Sequence, residues 1–247
     1  MRVEVVTLFP ELFENFSKIS FVGRGIERDI LQLRFQSPRD FGLGKHKAVD
    51  DTPYGGGSGM VMRFDVLVSA FEALDAKAAE ENLPRARRVL LTPQGRRFDQ
   101  AIAARLAQEP ALMLICGRYE GFDERVRSFV DEEVSLGDFV MTGGEVAAMA
   151  IIEATVRLLP GVLGNEASTH EESHAPATGG MLEYPQYTRP VEFRGQRVPE
   201  ILQGGHHANI EKWRREQSLT RTTERRPDLL QRRQSTVDSR QAETEKR

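Results

Sequence analysis

The sequence predicts an α/β fold with a mostly parallel sheet, followed by a small, mostly helical C-terminal domain. Three observations carry this. Short apolar runs alternate with stretches of helical period through the first two thirds of the chain. The runs ending at Leu91 and Cys116 are almost continuously apolar, as strands covered on both faces are. Composition then changes after Gly164: residues 165–180 are nearly devoid of apolar side chains, and beyond Met181 arginines gather around the single Trp213.

Taken in order, residues 2–9 read as a strand stopped by Pro10. Residues 11–30 are mixed and broken by Gly23 and Gly25. Residues 31–35 alternate as a half-buried strand does. Residues 37–63, with Pro38, Pro53 and a run of glycines, read as a long loop that is either functional or disordered. A helix follows over 64–82, with Phe64, Val68, Phe71 and Leu74 on one face. Next come a strand over 88–91 ending at Thr92-Pro93, a helix over 98–108 and a buried strand over 111–116. A helical turn or short helix over 121–129 and a strand around Val134 lead to Gly143-Gly144, which opens a helix over 145–159 closed by Pro160-Gly161. The expected domains are 1–164, a connector over 165–180, a helical domain over 181–230 and a polar tail over 231–247.

Composition narrows the function classes. In 247 residues there is one cysteine, Cys116, which excludes an intrachain disulfide scaffold and cysteine zinc sites. Charged residues interrupt the N-terminal apolar stretch, and the longest apolar run, 146–152, is too short to span a bilayer. A cytoplasmic protein that does not use a membrane is expected. The net charge is −3, but residues 195–247 carry 12 Lys/Arg against 8 Asp/Glu, so that stretch is +4 and the remainder −7. Such asymmetry can steer a polyanion to one part of a surface.

The loops at the strand ends carry the chemistry. No G-x-G-x-x-G follows a strand, and Gly55-Gly56-Gly57-Ser58-Gly59 lacks the ending of a P-loop. That run is a plain flexible loop or, given Lys45, His46 and Lys47 before it, a lid for RNA or substrate. Loops 92–97, 117–121 and 135–144 all fall at carboxyl ends of strands, where parallel sheets bind ligands. Each alone is a tight turn. Together they point to a cofactor site in which glycines let main chain approach a flat ligand. The pair His170 and His174 could share a helix face, but the polar surroundings favour solvated loop histidines, and no metal is expected. Glu166, Glu171 and Glu172 read as a charged connector. Arg157, in an otherwise apolar helix, either snorkels outward or points into a cleft as an anion donor.

Several motifs then add up. They are Leu8-Phe9-Pro10-Glu11, Pro38-Arg39-Asp40-Phe41, Lys45-His46-Lys47 and Val49-Asp50-Asp51, running to Pro53-Tyr54-Gly55-Gly56-Gly57. Further on come Thr92-Pro93-Gln94-Gly95-Arg96, Cys116-Gly117-Arg118-Tyr119-Glu120-Gly121, Gly137-Asp138 and Thr142-Gly143-Gly144-Glu145. Pro160-Gly161-Val162-Leu163-Gly164, Tyr187-Thr188-Arg189-Pro190 and Gly205-His206-His207 complete the set. In this order, over residues 8 to about 230, the chain resembles the bacterial tRNA (guanine-N1)-methyltransferases, the TrmD family of the knotted SPOUT class.

The resemblance implies a deep trefoil knot in the sheet domain and a homodimer whose active sites are shared across the interface. It also implies methyl transfer from S-adenosylmethionine to N1 of guanosine 37 of tRNA, beside the anticodon. The family's cofactor contacts fall on Leu90, Leu91, Thr92 and Pro93, on Gly117, Tyr119, Glu120 and Gly121, and on Ser135, Leu136, Gly137, Asp138, Phe139, Val140, Met141, Gly143 and Gly144. Its catalytic Asp falls on Glu172, with Glu171 as the alternative if the register slips. Its O6-binding arginine falls on Arg157. Arg214, Arg215 and Arg221, with Arg225 and Arg226, are then candidate phosphate contacts, and Asp50, Lys45 and His46 candidate readers of the neighbouring base. An α/β nucleotide-using enzyme with an unorthodox phosphate loop at 55–59, and a non-catalytic RNA-binding protein, are the rival readings.

Overall fold

In the computed structural model, residues 1–164 and 168–231 are described. The expectations for 165–167, Glu166 among them, for the side chain of His170 and for the tail from 232 onward lie outside these. The chain divides into two compact units, Met1–Gly164 and the residues from Asn165 on.

The first unit holds a five-stranded sheet in the order β2-β1-β6-β5-β7, formed by β1 (Arg2–Val6), β2 (Gln32–Gln36), β5 (Arg87–Arg97), β6 (Ala111–Cys116) and β7 (Glu132–Ser135). Every pairing in it is parallel. The short strands β3 (Asp50–Asp51) and β4 (Val61–Met62) pair separately, antiparallel, within the long loop. The helices are α1 (Ser20–Glu27), α2 (Phe64–Glu80), α3 (Gln100–Leu106) and α4 (Glu145–Val156).

Side-chain alternation along β6 shows how the sheet is covered. Leu112, Leu114 and Cys116 enter a core with Val22 of α1, Ile102 of α3 and Ile151 of α4. Ala111, Met113 and Ile115 enter the opposite core with Leu67, Phe71 and Leu74 of α2. Each fully buried Leu, Ile or Met contributes about 1.5–3 kcal/mol relative to exposure. Burial on both faces explains why this strand has no polar positions.

Two elements differ from expectation. Gly23 and Gly25 do not break residues 11–30: both are buried inside α1. A Cβ on Gly23 would lie 2.6 Å from the Lys18 carbonyl carbon, so glycine is there to let the preceding turn approach. Strand β5 does not stop at Thr92-Pro93 either. It runs to Arg97, because its pairing with β7 jumps from Leu91↔Val134 to Arg96↔Val134 and Pro93 sits in the excursion between. In addition, β1 ends at Val6 rather than at residue 9, and α4 ends at Val156 rather than at residue 159.

The second unit contains α5 (Ser168–Glu171), the two-stranded hairpin of β8 (Glu192–Phe193) and β9 (Gln196–Arg197), and α6 (His207–Arg225). Leu182 docks on α6 through its backbone: its N–H donates to Thr222 Oγ1 at 3.0 Å, and its carbonyl accepts from Ser218 Oγ at 2.6 Å. Residues 168–180, expected as a bare connector, fold with this unit. His174 N–H donates to the Met181 carbonyl, and Glu183 N–H to Ser173 Oγ. No helix among the described residues is long and apolar enough to cross a membrane.

Candidate active site

The parallel sheet sends the loops after β6 and β7 and the β5 excursion to one edge. There they enclose a cleft of about 290 Å³ within the first unit. Leu91, Thr92 and Pro93 form one wall. Gly117, Tyr119, Glu120 and Gly121 form the second. Ser135, Leu136, Gly137, Phe139, Val140, Met141, Gly143 and Gly144 form the third. Of the residues expected around a cofactor, two do not line the cleft. Alternation along β5 sends Leu90 into the opposite core. The Asp138 side chain is 96% exposed, 3.9 Å from Arg97.

Close packing explains several of the glycines, while Gly121 is held at a φ of 111°. A Cβ on Gly144 would lie 2.8 Å from Cys116 Cα, and one on Gly95 would lie 2.4 Å from Val134 N. At Gly117 the missing side chain's place is taken by the Phe122 ring. Among the described residues, no group of three or more His, Cys, Asp or Glu side chains could hold a metal ion.

The 45–59 loop reaches this edge through its C-terminal end. Glu120 N–H donates to the Met60 carbonyl and Met62 N–H to the Gly121 carbonyl, both at 2.9 Å. Partial burial pushes the Tyr119 phenol up, and the neighbouring Asp50 carboxylate adds to it, while Arg39 acts the other way. Asp50 therefore sits beside a residue of the cleft wall. Lys45 and His46 are exposed in the turn closed by the Leu43–Ala48 bridge.

Arg118 and Glu145 link two of the walls. Arg118 Nη2 lies 2.9 Å from Glu145 Oε2, and the guanidinium carbon lies 4.4 Å from the Phe9 ring centroid. Glu145, only 1% exposed, accepts a hydrogen bond from Thr7 Oγ1 at 2.8 Å. Beside this pair, burial and the Glu145 charge push the Cys116 thiol well up, so it is a packed thiol rather than a nucleophile.

Arg157 caps the far end of α4, half-buried, and does not line the cleft. At 1.5 Å per residue it stands about 20 Å along the axis from Gly144. In the second unit, Tyr184 donates its hydroxyl hydrogen to Glu171 Oε2 at 3.0 Å. Arg214 lies over the Tyr184 ring at 4.6 Å and 4.0 Å from Glu171. Arg214 is thus engaged inside its unit, and Arg221 Nη1 donates to the Glu183 carbonyl at 3.4 Å. Arg215, with its side chain 82% exposed and 3.5 Å from Glu211, faces solvent.

Of the other residues that border the cleft, Gln94, Arg118 and Thr142 lie inside loops the sequence marked, whereas Phe122, Glu124, Arg127, Val134 and Ala147 were missed. Arg118 and Thr142 were signalled by the glycine motifs that contain them. Arg127 had no sequence signal. Its guanidinium reaches Gln94, Glu124 and Glu133, which only the fold brings together.

Comparison with known proteins agrees with this geometry. The family model described as tRNA (Guanine-1)-methyltransferase TrmD matches residues 1–232. A tRNA (guanine-N(1)-)-methyltransferase of Sorangium cellulosum is 63% identical over 245 residues, covering 93% of each chain. Proteins of the same name from Symbiobacterium thermophilum and Levilactobacillus brevis are 52% and 49% identical, covering 94% and 96% of this chain and 92% of theirs. A family model spanning nearly the whole chain, over a cleft built from the same glycine loops, leaves one conclusion: the chain belongs to the TrmD family of tRNA (guanine-1)-methyltransferases.

Proposed function

We propose that the protein transfers a methyl group from S-adenosylmethionine to N1 of guanosine 37 of tRNA, as a cytoplasmic homodimer with a trefoil-knotted catalytic unit. The observation that carries this is the cleft of three glycine-bearing loops, where main chain approaches as closely as side chains would elsewhere. The cleft fits the cofactor chemically: Leu91, Leu136, Met141 and Ala147 offer apolar contact to a flat base, and Ser135, Glu120 and Glu124 offer polar and acidic groups to its cationic end. When bound, S-adenosylmethionine supplies an electrophilic methyl on sulfur.

Guanine N1 carries a proton and attacks poorly, so a base must take that proton, and a cation must meet the charge that develops on O6. We assign these roles to Glu172 and Arg157. Glu172 takes the base role because the family's catalytic Asp falls there, and Glu171, bonded to Tyr184 and paired with Arg214, is the alternative. Arg157 stands about 20 Å along α4 from the cleft edge of its own subunit. That separation suits a site completed by a second copy. The exposed Arg215 and its neighbours on α6 would contact tRNA phosphates.

The test uses labelled S-adenosylmethionine and two transcripts, one with guanosine at 36 and 37 and one with adenosine at 37. Methyl transfer is expected to the first alone. Glu172→Gln should lower kcat by about 10²-fold or more, as loss of a general base does. Glu172→Asp should stay within about tenfold of wild type and Glu171→Gln close to it. Transfer to neither transcript by a chain that still binds the cofactor would refute the assigned activity.

A further inference from the structure

We infer that Arg118 is a positioning residue of the proposed cofactor cleft, acting through Glu145 to hold the loop after β6 against the start of α4. The inference rests on the cofactor reading above.

Arg118 leaves the end of β6 one residue after Gly117. Glu145 opens α4 one residue after Gly144. The loops on either side of them are two of the three walls of the cleft. Between them the ion pair closes at 2.9 Å, and Arg118 Nη1 also donates to the Thr142 carbonyl at 3.4 Å. The guanidinium therefore grips both sides of the Gly143-Gly144 turn. A Cβ on Gly143 would fall 2.2 Å from Arg118 Nε, so the absence of a side chain there leaves room for the arginine.

The other partners fix the pair in place. Phe9 lies under the guanidinium, and Pro10 begins the 3₁₀ turn that follows it. Thr7 Oγ1 donates to Glu145 Oε1 and accepts from Phe9 N–H at 3.0 Å. The N-terminal Leu8-Phe9-Pro10-Glu11 motif, remote in sequence from the glycine loops, thereby becomes a backing for the cleft. Glu145 also sits in the first turn of α4, where helix amides favour a negative charge. A buried carboxylate so held needs a fixed cation, and Arg118 meets it across the two walls. Lysine has the charge but neither the planar face for Phe9 nor a second nitrogen to reach Thr142 while the first holds Glu145.

Each single variant leaves its partner's charge unpaired, so the double variant, neutral at both positions, and melting temperatures of all variants separate folding from function. Binding of S-adenosylhomocysteine is measured by calorimetry on the full chain for wild type, Arg118→Gln, Glu145→Gln, the double variant and Arg118→Lys. Steady-state kinetics are measured for both substrates. Each glutamine variant should weaken binding about tenfold or more and raise KM for the methyl donor, with KM for tRNA unmoved, because displaced walls cost the ligand they enclose. The double variant should be no weaker than the weaker single, since the two side chains act as one unit. Arg118→Lys should fall between wild type and Arg118→Gln.

Losses that multiply in the double variant would show that Arg118 acts independently of Glu145 and overturn the inference. So would melting temperatures that fall while binding stays constant. Wild type that binds no S-adenosylhomocysteine overturns the cofactor reading and this inference with it. Wild type and variants that bind equally overturn this inference alone.

Discussion

Gly144 is where strand, helix and cleft meet. Its backbone packs on Cys116 at the end of β6, and it precedes the first residue of α4. A methyl group there would press on Cys116 Cα at 2.8 Å and Gly117 N at 3.0 Å, both main-chain atoms that cannot swing aside. Gly144→Ala should therefore cost about 1–3 kcal/mol of stability, as overpacking of a tight site does. Gly164→Ala is the matched control, since a Cβ there meets nothing within 4 Å. Urea unfolding of the two variants checks this. Equal midpoints would mean that the β6–α4 junction relaxes more easily than its packing implies. The site's glycines were legible in sequence because glycine concentrated at strand ends has few other uses. Arg127 was not, and Arg118 was marked by its motif but not in its role, because an arginine's role depends on which acid the fold sets opposite it.

At the scale of elements, β7 is the short edge strand that forms part of the cleft, and ion pairs hold it. Arg87 Nε donates to Glu132 Oε1 at 2.7 Å from β5, and Arg105 Nη1 donates to the same oxygen at 3.0 Å from α3. Burial alone would push the Glu132 carboxyl up, but these hydrogen bonds outweigh it and hold it below the ordinary value. The folded state then binds this proton more weakly than the unfolded chain does. The stabilisation is complete above the usual carboxylate range and fades as pH falls through it toward the depressed folded value. Glu132→Gln should lose about 1 kcal/mol at pH 7, at the low end because both arginines are partly solvated. The difference from wild type should shrink below about pH 4. Subtracting the two stability curves cancels Glu4, whose carboxyl burial pushes up and whose contribution has the opposite sign. A pH-independent difference would refute the linkage. Element legibility follows a similar logic. The strand β6 declares itself by an unbroken apolar run and the helix α2 by its apolar period. The helix α1 and the second half of β5 do not, since Gly23 and Pro93 are breakers by local propensity and are tolerated here for a close approach and a bulge.

For the whole molecule, the proposed roles assign a cleft and an arginine at opposite ends of α4 to one reaction. The cleft lies at the N-terminal end of the helix and Arg157 at its C-terminal end, while Glu172 belongs to the second unit. A site shared between two subunits makes a prediction that a site within one subunit cannot. Leu136→Trp, which fills the cleft from a half-buried wall position, and Glu172→Gln should each inactivate a homodimer. Mixed and allowed to exchange subunits, they form heterodimers in which one site has two defects and the other has none. With random pairing, about half of the dimers are mixed and each carries one intact site, so activity should return to about a quarter of wild type. If cleft and base came from the same subunit, every site in the mixture would carry one defect and no activity would return. Methyl transfer measured before and after subunit exchange therefore separates the two architectures, and the recovered fraction reports how many of the dimers have exchanged.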